Sequence, residues 1–113
     1  MEDATESDPG EEPIVSCSLQ GGTVSVHRER IDIERSSASM FEDKTIPMSE
    51  VRGVAYESGI LTGHIQVEQT GVVPDEAGLL GHPVDENTLY VSRSKRRCAR
   101  RARDAILEHA GGG

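Results

Sequence analysis

Seven of the twelve basic residues of this chain fall within eleven positions near its C-terminus. They are Arg93, Lys95, Arg96, Arg97, Arg100, Arg101 and Arg103. Cations near the start of a helix oppose its macrodipole by about 0.3–1 kcal/mol each. Helix stability therefore does not explain the run. Two explanations remain: a solvated face balanced by acids such as Glu57, Glu68 or the N-terminal acids, and a surface that binds an anionic partner.

Patterns that carry catalysis or bind metals are missing from the sequence. There is no nucleophile elbow, HExxH, Walker loop or dinucleotide fingerprint. His82 and Asp85 flank Pro83 and could form a polar site, but ordinary turn chemistry is the simpler interpretation. No CxxC occurs and the four histidines are scattered. We therefore predict a protein that is not an enzyme, with no cofactor and no metal.

The two cysteines bear on the cellular compartment of the protein. Cys17 and Cys98 both lie in predicted apolar stripes, where a free cysteine behaves as a small hydrophobe. The N-terminus lacks the basic and then apolar order of a signal peptide, and no apolar stretch approaches the roughly 20 residues of a membrane span. We expect a cytoplasmic protein with unpaired cysteines. A disulfide between the first strand and the last helix is the alternative that the spacing leaves open.

The formal net charge of −8 is unevenly distributed. Residues 1–12 hold six acids and no base, so the other 14 acids face all 12 bases, a net of −2. Residues 1–13 also have almost no apolar side chains, which predicts a disordered acidic arm. The acid-rich, lysine-poor composition resembles that of proteins from halophilic archaea. An ordinary domain with an acidic arm explains it equally well.

Hydrophobic periodicity predicts a mainly β domain over residues 14–110. Alternation with a period of two predicts strands at residues 14–20, 23–27, 31–35, 44–48, 51–56, 64–69 and 87–92. Gly21-Gly22 predicts a tight hairpin turn. The inward positions change from even at Val26 to odd at Ile31, which requires a turn or bulge between them. Pro47 places its strand at a sheet edge or ends it there.

Two further segments have their own signatures. Gly53 predicts a bend within its strand, and residues 71–86 read as a long irregular loop. The apolar pairs Ile60-Leu61 and Leu79-Leu80 lie between glycines and either tuck over the open end of the sheet or stand exposed; we favour tucking. The predicted core contains Ile31, Ile33, Ile65, Val67, Leu89 and Ile106, and Gln66 and Glu68 point outward.

From Ser94 the period becomes helical. The apolar face of this helix contains Cys98, Ala102, Ala105, Ile106 and His109. The opposite face contains Arg96, Arg97, Arg100, Arg101 and Arg103, which we predict to form one outward stripe and the binding surface. Ser94 is the expected N-cap, and residues 111–113 form a glycine tail. The predicted fold is thus a curved antiparallel sheet or split barrel of six to seven strands, capped by one amphipathic C-terminal helix.

Several of these segments together resemble the prokaryotic PH-like domains. The similarity lies in the runs at residues 22–26, 30–35, 45–54, 63–68 and 85–91 and in the helix that follows, and it covers about residues 21–109. The resemblance implies a non-catalytic interaction or scaffolding module for a protein or a membrane-proximal partner. Eukaryotic PH domains that hold phosphoinositides use basic residues in an early hairpin. Here the comparable turn places Glu29 between Arg28 and Arg30, which argues against lipid headgroup recognition.

Two considerations decide between a protein and a nucleic acid as the partner of the arginine face. Phe41, Tyr56 and Tyr90 are the only aromatic residues, so no platform is available for stacking bases. In a saline cell the Debye length falls to about 3 Å at 1 M salt, which weakens phosphate binding. We therefore favour a protein partner and keep a nucleic-acid-associated accessory protein as the alternative. The sequence determines neither the partner nor the oligomeric state.

Overall fold

The computed structural model describes residues 12–37, 39, 41–60, 62–71 and 86–110. The chain forms two antiparallel sheets and one long helix. In sheet order, the first sheet contains β1 (Val15–Leu19), β2 (Gly22–Val26), β3 (Arg30–Arg35) and β4 (Lys44–Pro47). The second contains β5 (Val51–Glu57), β6 (Thr62–Gln69) and β7 (Thr88–Ser92). Two 3-10 turns follow β4 and β7, at Met48–Glu50 and Arg93–Lys95, and α1 spans Arg96–Ala110.

Local sequence signals account for the first hairpins. Gly21 has φ +89°, a conformation that favours glycine, and lets β2 fold back on β1. The inward-facing residues change from even-numbered to odd-numbered positions through a turn. In this turn the His27 amide donates a hydrogen bond of 2.8 Å to the Arg30 carbonyl. Beyond it β3 pairs with β2 so that Val26 lies opposite Ile31. Both predicted turns are confirmed.

The proline and glycine positions in the next two strands also behave as predicted. Pro47 ends β4, which is the edge strand of the first sheet, where a missing amide costs no ladder hydrogen bond. The register between β5 and β6 shifts between Val51 and Gly53, as expected of a bulge at the predicted bend.

The strands divide into a sheet of four and a sheet of three, and they do not close into a barrel. Across one seam, Gln20 and Tyr90 form an isolated bridge, in which the Gln20 amide donates a 3.2 Å hydrogen bond to the Tyr90 carbonyl. The chain turns away at Gly21, so β1 cannot continue pairing with β7. The mainly β class and the C-terminal helix are as predicted, whereas the single curved sheet is replaced by two sheets.

One hydrophobic core joins both sheets to α1. The six predicted core residues all belong to it, and each is at most 4% exposed. The helix contributes Ala99, Ala102, Ala105 and Ile106. Gln66 was expected to point into solvent and instead is 8% exposed. It lies on the middle strand of the second sheet, directly beside Ala55 and Thr88, so neighbouring strands flank it on both sides.

The prediction of unpaired cysteines is wrong, because Cys17 of β1 and Cys98 of α1 form a disulfide. The helix packs across β1, which brings the two Cα atoms to 5.9 Å, within the range that a disulfide spans. Sequence spacing of 81 residues could not reveal this contact. Only the packing of the helix on the sheet shows that the two cysteines meet.

Several predictions concern residues outside the described ranges. These are the acidic arm up to residue 11, the loop at residues 72–85 with Leu79-Leu80, His82 and Asp85, and the glycine tail. Within the described part of the chain, no helix is long and apolar enough to span a membrane.

Candidate functional site: the outer face of the helix

The start of α1 differs from the sequence prediction. Ser94 was the expected N-cap, but it lies inside the 3-10 turn at residues 93–95, and the α-helix begins at Arg96. Ser92, which precedes that turn, makes no side-chain capping hydrogen bond. Its hydroxyl lies 3.4 Å from the hydroxyl of Ser94. No side chain thus caps the 3-10 turn that leads into α1, and the helix packs on the sheets through its apolar face.

That apolar face is rotated slightly from its predicted position. Ala99 is fully buried, although the predicted face did not include it, whereas Cys98 and His109 are only half-buried. The rotation moves Arg96 and Arg103 to the border of the helix, beside β5 and the turn that follows β5. These two arginines are half-buried, and their guanidinium groups contact the protein.

Arg96 binds the backbone of the turn between β5 and β6. Its Nη2 donates hydrogen bonds to the carbonyl oxygens of Gly59 at 2.8 Å and Ile60 at 2.9 Å, and lies 3.5 Å from that of Ser58. Gly59 has φ +65°, so the turn is tight and its carbonyls converge. Arg96 thus fastens this turn to the helix, which is a structural task.

Arg103 is engaged in a similar way. Its guanidinium lies 5.6 Å from the centre of the Tyr56 ring on β5. It also pairs with the Asp104 carboxylate, at 3.1 Å from Nε and 3.0 Å from Nη2. The predicted stripe of five outward arginines is therefore wrong for Arg96 and Arg103.

The other three arginines of the predicted stripe are exposed. Arg97, Arg100 and Arg101 form no hydrogen bond or ion pair with the part of the chain that the structure describes. Arg93 and Lys95, in the preceding turn, are exposed as well. Neither Glu57 nor Glu68 forms an ion pair with these side chains, so the described residues leave the positive charge of this part of the helix unpaired.

The same outer face also carries acids that the sequence analysis did not consider. Asp104 and Glu108 are both exposed. At 100° per residue, Arg97, Arg101, Asp104 and Glu108 all lie within a sector of about 60°. The spacing i, i+4, i+7 and i+11 is the signal that could have revealed this in the sequence. The outer face is thus positive in its first half and negative in its second.

A second polar group lies on the outside of β3 and β4. Asp32 Oδ2 is 3.1 Å from Arg30 Nε and 3.4 Å from His27 Nε2, and Asp32 Oδ1 accepts a 2.9 Å hydrogen bond from Thr45. These contacts link neighbouring strands, although the buried Nδ1 of His27 has no hydrogen-bond partner. Among the described residues, no group of three or more His, Cys, Asp and Glu side chains could hold a metal ion.

One apolar residue stands beside the charged helix. Ile60 is 85% exposed at the tip of the turn that Arg96 fastens, so the prediction that it tucks over the sheet is wrong. Gly59, with φ +65°, turns the chain sharply and leaves Ile60 at the tip, whereas Leu61, the other member of the apolar pair, lies outside the described residues.

These features define a class: a small mainly β domain of two antiparallel sheets, whose C-terminal helix presents a face of segregated charge. Compared with known proteins, the chain matches no family model, no curated relative and no solved structure.

Proposed function

We propose that this chain is a non-catalytic interaction module of PH-like architecture, and that it binds a protein partner through the outer face of α1. The observation that carries the proposal is the mixture of charges on that face. Arg97 and Arg101 are followed by Asp104 and Glu108 within one narrow sector. Electrostatic complementarity of this kind gives specificity for a partner with the opposite pattern.

The mixed charges weigh against nucleic acid. A phosphate backbone is uniformly negative, so Glu108, and Asp104 to the extent that Arg103 leaves its charge unbalanced, would repel it near the end of the helix. Arg96 and Arg103 already bind within the domain, which leaves fewer cations for phosphates. A protein can match both halves of the face, whereas a nucleic acid can match only the first.

The PH-like assignment rests on element order. Within the ranges that the structure describes, seven antiparallel strands in groups of four and three, followed by one helix, agree with the resemblance noted in the sequence. Fold alone does not decide a ligand. The turn between β2 and β3 keeps Glu29 between Arg28 and Arg30, and this is why we propose a protein and not a lipid headgroup as the ligand.

Binding to nucleic acid under changing salt tests the proposal. Fluorescence anisotropy with random duplex and single-stranded DNA and RNA measures affinity between about 50 and 200 mM salt and at the ionic strength of the host. We expect weak binding that vanishes as salt rises. Sub-micromolar binding that persists at host salt, and is lost when Arg97, Arg100 and Arg101 are replaced by Ala, would establish the accessory protein for nucleic acids instead.

The cytoplasmic location expected from the sequence belongs to the same proposal. The Cys17–Cys98 disulfide argues in the other direction, because such bonds persist mainly in oxidising compartments. Alkylation of thiols in protein taken directly from its native cells decides between a reducing and an oxidising compartment. Two labelled cysteines would support a reducing compartment, and none would place the protein in an oxidising one.

A further inference from the structure

The charge pattern of α1 is unfavourable for the helix itself. Arg97 lies in the first turn, at the positive end of the macrodipole, and Glu108 lies in the last turn, at its negative end. Reversing the order would stabilise an isolated helix. Within the described residues, Asp104 pairs with Arg103, while no ion pair joins Arg97, Arg101 or Glu108 to another side chain. A charge pattern that costs helix stability, and that the described residues do not compensate, is accounted for by a partner with the opposite pattern.

The pattern is self-complementary. Arg97 and Glu108 are equally far from the midpoint between residues 102 and 103, and so are Arg101 and Asp104. The pair of arginines and the pair of acids are centred seven residues apart, about 10 Å along the axis. A second helix laid antiparallel across this midpoint places its acids opposite the arginines of the first, and the reverse holds by symmetry.

We propose that the outer face of α1 binds a second copy of this chain as a two-fold symmetric, antiparallel helix pair. The interface would be isologous, with the same patch on both copies. Arg97 of one copy faces Glu108 of the other, Arg101 faces Asp104, and each contact occurs twice. The antiparallel arrangement also opposes the two macrodipoles favourably. This inference rests on the proposed function and names its partner.

The apolar content of the face sets the strength of the contact. Leu107 is 49% exposed and lies on the same side of the outer face as Arg100. In the antiparallel pair it approaches the methylene groups of the partner copy's Arg100, which can cover apolar surface. Exposed ion pairs contribute little individually, and a helix of about 22 Å offers a small area. The dimer is therefore of the weak, salt-dependent kind.

Charge reversal tests this pairing directly. Sedimentation velocity at low salt measures self-association of the unaltered chain, of an acid-only variant (Arg97→Glu with Arg101→Glu) and of a base-only variant (Asp104→Arg with Glu108→Arg). We expect the unaltered chain to dimerise, and each variant to associate with itself at least about tenfold more weakly because like charges then face each other. An equimolar mixture of the two variants should form a heterodimer.

A matched control separates the effect of losing the helix pairing from the effect of changing the net charge. Arg28 and Arg52 are exposed and lie outside α1, and reversing both to Glu changes the net charge as much as the acid-only variant does. This control should dimerise like the unaltered chain. Circular dichroism spectra and melting temperatures verify that every variant is folded.

Three results would overturn the proposal: an unaltered chain that stays monomeric up to about millimolar concentration at low salt, a mixture of the two variants that does not associate, or equal weakening by the control. None of them would refute the interaction module, because a different protein could still occupy this face. The module fails only if the nucleic-acid experiment gives the opposite result.

Discussion

Reducing the Cys17–Cys98 disulfide should remove a large part of the stability of the domain. The bond closes a loop across 81 residues, from the first strand to the last helix. Restricting an unfolded chain over a loop of this length stabilises the folded state by about 4.5 kcal/mol in the chain-entropy model. Domains of this size are stable by about 5–15 kcal/mol in total. Reduction should therefore leave a folded but marginal protein.

Urea unfolding followed by far-ultraviolet circular dichroism measures the effect. With an m-value of about 1.5 kcal/mol per M, reductant should lower the unfolding midpoint by about 3 M. Cys98→Ser supplies the control. It keeps the buried Cys17 in the core, so it should match the reduced protein and show no further response to reductant. Equal midpoints with and without reductant, in protein whose disulfide has first been formed by mild oxidation, would refute this contribution of the Cys17–Cys98 bond to stability.

Two further predictions concern the arm and the core. Deletion of residues 1–12 should shift the melting temperature by no more than about two degrees at moderate salt, because the segment has no apolar face to bury. A larger loss, measured by calorimetry, would mean that the acids stabilise the domain. Replacing Ile33 or Ile106 by Ala should lower the free energy of unfolding by about 2–5 kcal/mol, because both are at most 1% exposed. Denaturant unfolding would contradict the assigned core if both changes were neutral.

Local patterns in the sequence were sufficient for most of the elements. Alternation of apolar residues located the strands, and the change of parity between Val26 and Ile31 located the turn between β2 and β3. These signals succeed because each depends on the stereochemistry of neighbouring residues. The division into two sheets was not predictable in the same way. It depends on which strands pair at a distance, and among the described residues a single bridge, between Gln20 just after β1 and Tyr90 of β7, connects the two sheets.

The candidate site likewise has features that the sequence predicted and features that only the packing of the helix shows. The run of arginines was visible in the sequence, and so was the helix that carries it. What the run could not show is which arginines remain available, because Arg96 and Arg103 are bound by a turn and by an aromatic ring from distant strands. The acids Asp104 and Glu108 had a readable spacing, but their importance appeared only when the buried face was located.

The sequence by itself determined the order of strands and helix, the turns at Gly21 and before Arg30, and the amphipathic character of α1. Those properties follow from backbone conformation and from the periodicity of apolar residues over short distances. Only the tertiary structure decided that Cys17 meets Cys98, that Gln66 is buried, and how α1 is rotated against the sheets. Each of these depends on packing between segments far apart in the chain, and no local pattern encodes such a contact.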